Sequence, residues 1–133
     1  MNYKNKNLDF SINSNLGVPD ELITKLIEKL KRITEEDKVK GFVLFTSCDG
    51  WGEQAEYIRN GLEFNRFWDN VNRILREVPK ITITFMVTYN MLSVFSFDKF
   101  IKICVNLKSG FLTQYFLISS SKIFILFISL IFI

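Results

Sequence analysis

The segment Ser47-Cys48-Asp49-Gly50-Trp51-Gly52-Glu53-Gln54-Ala55-Glu56-Tyr57-Ile58-Arg59-Asn60-Gly61 concentrates the polar chemistry of this chain. Ser47 and Asp49, two residues apart at the end of an apolar run, point to one side if that run is a strand, and both can hydrogen-bond to ligand hydroxyls. Arg59 adds a planar guanidinium fork suited to a carboxylate. The set fits a small polar ligand. The plainer alternative is local: Asp49-Gly50 makes a turn, Asp49 or Ser47 caps the next turn of the chain, and Arg59 pairs with Glu53 or Glu56 at the surface. Cys48 lies beside Asp49, whose charge raises a thiol pKa, and only Arg59 is near enough to lower it, so thiol catalysis is not expected.

What is absent narrows the chemistry further. The chain has no histidine, which removes both a Ser-His-Asp triad and a histidine-built zinc site. Its two cysteines, Cys48 and Cys104, match no metal-ligand spacing and suit a reduced, cytoplasmic protein. Seventeen basic residues against 14 acidic ones leave +3, too little to imply nucleic acid as a partner. The start, MNYKNKNLDF, carries no apolar core of a signal peptide. A length of 133 residues, 48% of them apolar, gives a single globular domain.

The elements that must position these residues alternate along the chain. LDFSIN (8–13) reads as a strand, and Pro19 opens a helix over 19–35 with Asp20 and Glu21 in its first turn. Leu22, Leu26, Leu30 and Ile33 run down one face of that helix, with Ile23 and Ile27 widening it. KGFVLFTS gives a strand over 41–47, short and continuously apolar as if buried on both faces. Phe64, Phe67, Trp68, Val71, Ile74, Leu75 and Val78 predict a second amphipathic helix, with Arg66, Asp69, Asn70 and Arg73 on its solvent side. ITITFMVTYN (81–90) is a third strand, and Ser96 is placed to cap a helix through FDKFIKICVNL. The order β-α-β-α-β-α implies an α/β fold with right-handed parallel crossovers, in which ligands collect at the carboxyl ends of the strands.

This succession resembles the middle of the radical S-adenosylmethionine (radical SAM) enzymes. The residues that carry the likeness are strand ends at Asn13-Ser14-Asn15, Ser47-Cys48-Asp49-Gly50 and Thr88-Tyr89-Asn90, the loop Ile58-Arg59-Asn60-Gly61-Leu62, and the helix from Phe64 to Val78. The chain is most similar to the peptide- and protein-modifying branch with SPASM or twitch domains, over about residues 8–104. The resemblance implies three β-α units of a partial parallel (β/α)6 TIM-like barrel. It places Ser47 and Asp49 at the ribose of S-adenosylmethionine, Arg59 at its methionyl carboxylate, and Asn13 and Asn90 at the same mouth. The family's chemistry is reductive cleavage of that cofactor by a 4Fe-4S iron–sulfur cluster, with subsequent radical modification of a substrate, here a peptide or protein. The cluster's CxxxCxxC loop is not in this sequence, so the cluster is not expected to bind to this chain, and the chain reads as a fragment inactive by itself. A small α/β binding or interaction module is the alternative.

The composition changes near residue 110. Residues 1–110 hold the barrel-like fragment, and 111–133 form an almost charge-free, low-complexity apolar tail with only Lys122 as a charge. A membrane contact could run only through this tail, although Ser119-Ser120-Ser121-Lys122 interrupts it and leaves a charge-free run of just 11 residues, Ile123 to Ile133, apolar except for Ser129. The tail reads alternatively as a frame-altered or degraded end, a membrane anchor, or a further strand or partner-binding segment.

Overall fold

The computed structural model describes the backbone of residues 5–36, 38–89, 91–106, 112–120 and 123–131, and side chains from 7 to 104 within those spans. Strand β1 (Asn5–Asn13) leads into α1 (Asp20–Glu35), then β2 (Val39–Ser47), a short α2 (Glu53–Ile58), α3 (Phe64–Glu77), β3 (Thr82–Tyr89) and α4 (Val94–Asn106). The expected alternation of three strands and three long helices is present. Helix α2 stands where the sequence reads only as a polar loop: six residues, EQAEYI, are too few to show a helical period.

β1 pairs with β2 and β2 with β3, both in parallel, with Ile12 opposite Leu44 and Leu44 opposite Ile83. Successive strands that sit side by side, joined by right-handed crossovers, send their helices to the same face of the sheet. The ion pairs Lys31–Glu77 (3.0 Å) and Arg73–Asp20 (2.7 Å) accordingly tie α1 to α3 side by side. Under them the core is built from Phe42 and Leu44 of β2, Ile83, Phe85 and Val87 of β3, and the inner faces of the helices. Phe85 is its aromatic centre, with ring centroids 6.5 Å from Phe67, 6.2 Å from Trp68 and 5.5 Å from Phe100.

Four sequence expectations shift. On α1 the buried stripe is Ile23, Ile27, Leu30 and Thr34, while Leu22 is 52% exposed, so the helix is rotated by one position from the leucine-led reading. β2 is not buried on both faces: Phe42, Leu44 and Thr46 are buried against the helices and Val43, Phe45 and Ser47 are half-buried on the opposite face. Asn70 is buried rather than solvated. Ser96 does not cap α4, which starts two residues earlier, with the Ser93 carbonyl accepting the first amides, from Ser96 and Phe97.

Beyond β3 the backbone of 112–120 (β4) and 123–131 (β5) forms an antiparallel hairpin, and β5 pairs antiparallel with β3 from Thr82–Ile131 to Tyr89–Phe124. The sheet order is β1-β2-β3-β5-β4. The apolar tail thus occupies the outer edge of the third parallel strand. Among the described residues no helix is long and apolar enough to cross a membrane.

Candidate functional site

The carboxyl ends of β1 and β2 and the two loops that leave them enclose a cavity of about 110 Å³ lined by Asn15, Gly17, Ser47, Arg59, Asn60, Gly61 and Leu62. Its first wall is the β1–α1 loop. The Ser14 amide continues the sheet by donating to the Phe45 carbonyl (2.9 Å), and the Gly17 amide then donates to the Asn15 carbonyl (2.7 Å), closing a tight turn around Leu16. Leu16 has φ 53°, a conformation that costs a branched side chain about 1–3 kcal/mol. Complete burial of Leu16 and two hydrogen bonds from Asn70 Nδ2, to the carbonyls of Leu16 (2.8 Å) and Val18 (3.0 Å), oppose that cost.

The second wall is the loop between β2 and α3. Here the Leu62 amide donates to the Arg59 carbonyl (3.0 Å), and Gly61 between them has φ 82°, as the third position of a type II turn demands. The Phe64 amide at the start of α3 donates to Glu56 Oε1 (2.7 Å), which supplies an acceptor to a helix end that has no cap of its own. Farther out, the Trp51 amide donates to Ser96 Oγ (3.0 Å), tying this loop to α4, and the Trp51 ring packs edge-on against Phe64 and Trp68 with Lys99 above it.

Asp49 is 5% exposed and links the second wall to the end of β3: its Oδ2 accepts from Arg59 Nε (2.7 Å) and its Oδ1 from the Thr88 amide (2.8 Å). Arg59 is therefore paired with Asp49, not with the nearer-in-sequence Glu53 or Glu56. Engagement through Nε leaves both terminal guanidinium nitrogens without a hydrogen bond among the described residues.

The five residues singled out in the sequence end up in different places. Ser47 and Arg59 line the same cavity. Asp49 stands behind Arg59 and is not among the lining residues. Asn13 is exposed at the end of β1, and the cavity is lined instead by Asn15, the second asparagine of the same strand end. Asn90 lies outside the described residues. Asn60 and Gly61 belong to the quoted loop motif, but their approach to Ser47 depends on how that loop folds back.

Cys48 is fully buried, and its Sγ donates to the Gly50 carbonyl (3.2 Å). Burial, with a smaller contribution from the charge of Asp49, pushes its pKa up to about 12. Burial also raises the thiol pKa of Cys104. Both are protonated near neutral pH, and two such thiols do not fit the three thiolates that a 4Fe-4S cluster needs from its protein beside the cofactor. Compared with known proteins, the chain matches no family model, no curated protein and no solved structure.

Proposed function

We propose that the cavity at the carboxyl ends of the parallel strands binds the polar end of a small nucleoside-type metabolite, S-adenosylmethionine by the family likeness, in a fragment of a radical SAM barrel. The observation that carries the reading is the convergence of Ser47 and Arg59, twelve residues apart in sequence, on one cavity at the strand ends, where α/β sheets collect ligands. Three side-by-side parallel strands with their helices on one face are the arrangement that a barrel segment of this family would have. A volume of 110 Å³ is well below the roughly 300–1,000 Å³ of pockets that enclose whole small molecules, so the cavity receives one end of its ligand. The free nitrogens of Arg59 suit the carboxylate, with Ser47, Asn15 and Asn60 beside it.

Affinity is correspondingly weak, with a dissociation constant of about a millimolar or above, since most of the ligand stays in water. No radical step is assigned to this chain, because its cysteines do not suit the cluster; binding without turnover is the function, in a cytoplasmic protein. Titration of the labelled chain with S-adenosylmethionine, monitored by NMR, tests it. Shifts confined to the amides around Ser47 and Arg59, and lost in Arg59→Ala, are expected, whereas an unchanged titration in Arg59→Ala overturns the reading.

A second reading, an interaction module that docks on another chain, is favoured by exposed apolar side chains between β3 and the first turn of α4, where Met91 and Phe95 are each 89% exposed. Loss of S-adenosylmethionine shifts together with gain of a stable complex would select it.

A further inference from the structure

We infer that Asp49 is a positioning residue, which acts on a bound carboxylate only through Arg59. This rests on the reading of the cavity given above and departs from the role that the family likeness implies for Asp49, direct contact with a ribose. Both carboxylate oxygens of Asp49 are engaged within the protein, one by Arg59 Nε and one by the Thr88 amide, and the side chain is buried. Each oxygen keeps a second lone pair, but the side chain is 5% exposed and the carboxylate is not on the cavity wall, so a ribose hydroxyl in the cavity meets Ser47 or Arg59 before Asp49.

The geometry gives Asp49 two opposed effects on an anionic ligand. It places a negative charge against Arg59, which by Coulomb's law weakens attraction for a second carboxylate. It also fixes a flexible side chain by its Nε edge, so that the two terminal nitrogens are free for a two-pronged contact with a carboxylate. An unrestrained arginine loses rotamer entropy on binding, and part of that loss is already incurred in the folded chain. The Thr88 amide anchors the other oxygen of Asp49, so the restraint is transmitted to the end of β3 rather than to a mobile partner. If Asp49 were a mere counter-charge, its removal would tighten anion binding. If it positions Arg59, its removal weakens it.

Asp49→Asn separates the two. The substituted side chain keeps an oxygen for the Thr88 amide but presents an NH2 group, which cannot accept from Arg59 Nε. Two probes are titrated: S-adenosylmethionine, and 5′-methylthioadenosine, which retains the nucleoside and the sulfur and lacks the amino-acid end. The expected result is an approximately tenfold loss of affinity for S-adenosylmethionine, no change for methylthioadenosine, and no further effect of Asp49→Asn once Arg59 is alanine. Tighter binding of S-adenosylmethionine, or equal losses for both probes, overturns the inference. If neither probe binds the unsubstituted chain, the ligand reading fails by itself. The positioning role is then decided by the Arg59 Nε–H resonance: exchange with water that is slow in the native chain and fast in Asp49→Asn upholds it, and fast exchange in the unsubstituted chain refutes it.

Discussion

Asn70 Nδ2, on α3, lies 2.8 Å from the carbonyl oxygen of Leu16, 54 residues earlier in the chain, at the one described non-glycine residue with positive φ. The same amide reaches the Val18 carbonyl, so one buried side chain holds the loop that forms a wall of the cavity. Asn70→Ala leaves two carbonyls short of a donor in a dry environment and should cost about 2–3 kcal/mol in urea denaturation. Asn70→Asp, which replaces the donor with a second acceptor, should cost more. Substitution without loss of stability would mean that the loop holds its conformation unaided.

Thr46 offers the opposite case. Its Oγ1 is buried without a hydrogen-bond partner on the helix-covered face of β2. Replacing the hydroxyl by a methyl group of similar size removes a desolvated polar atom and keeps the packing, so Thr46→Val should raise stability by about 1 kcal/mol. Equilibrium urea unfolding measures it directly.

The two cysteines predict a pH dependence. Burial lifts the Cys48 thiol from its ordinary pKa of 9.0 to about 12, so the folded chain keeps a proton that the unfolded chain gives up first. The stabilisation is therefore complete below pH 9 and is lost as pH rises from about 9 to 12, at up to about 1.4 kcal/mol per pH unit from Cys48, with Cys104 adding in the same direction. Alkylation at about pH 8, below the ordinary thiol pKa, should label neither thiol in the native protein and both after denaturation. Rapid labelling of Cys48 in the native state would contradict its burial.

A Cβ at Gly50 would stand 2.6 Å from Ser96 Oγ, the atom that accepts the Trp51 amide. Gly50→Ala must rotate that hydroxyl away and break the bond, at a cost of about 1 kcal/mol. In a Ser96→Ala background the obstruction and the bond are both already gone, so the double variant should be more stable than the sum of the single losses predicts. Strict additivity would show that the loop shifts as a whole.

Removal of residues 111–133 takes β5 away from the eight-residue edge of β3, from Thr82 to Tyr89. An unprotected edge of that length is an association hazard. The shortened chain is expected to sediment as larger species than the full chain under the same conditions; a smaller or better dispersed product would show that the hairpin itself drives association.

Three strands and three long helices were legible in the order of residues, because a period of two, a continuous apolar run and a period of 3.6 are all properties of neighbouring residues. Ser47 and Arg59 were legible too, being conspicuous as polar groups after an apolar run. Which acid Arg59 would meet was not. Local spacing favoured Glu53 or Glu56, yet the partner is Asp49: Arg59 is the C-cap of α2 and donates to Asp49 at the other end of the same loop, while Glu56 accepts the Phe64 amide. Asn70 was hidden for a similar reason. It lies between Asp69 and Arg73 on what looks like a solvated helix face, and its burial comes about only when the β1–α1 loop folds over α3 and needs a donor for two carbonyls. Periodicity is local and survives in the sequence, whereas the choice of hydrogen-bond partner depends on which distant backbone groups lose their water, and that is settled only once the elements have packed.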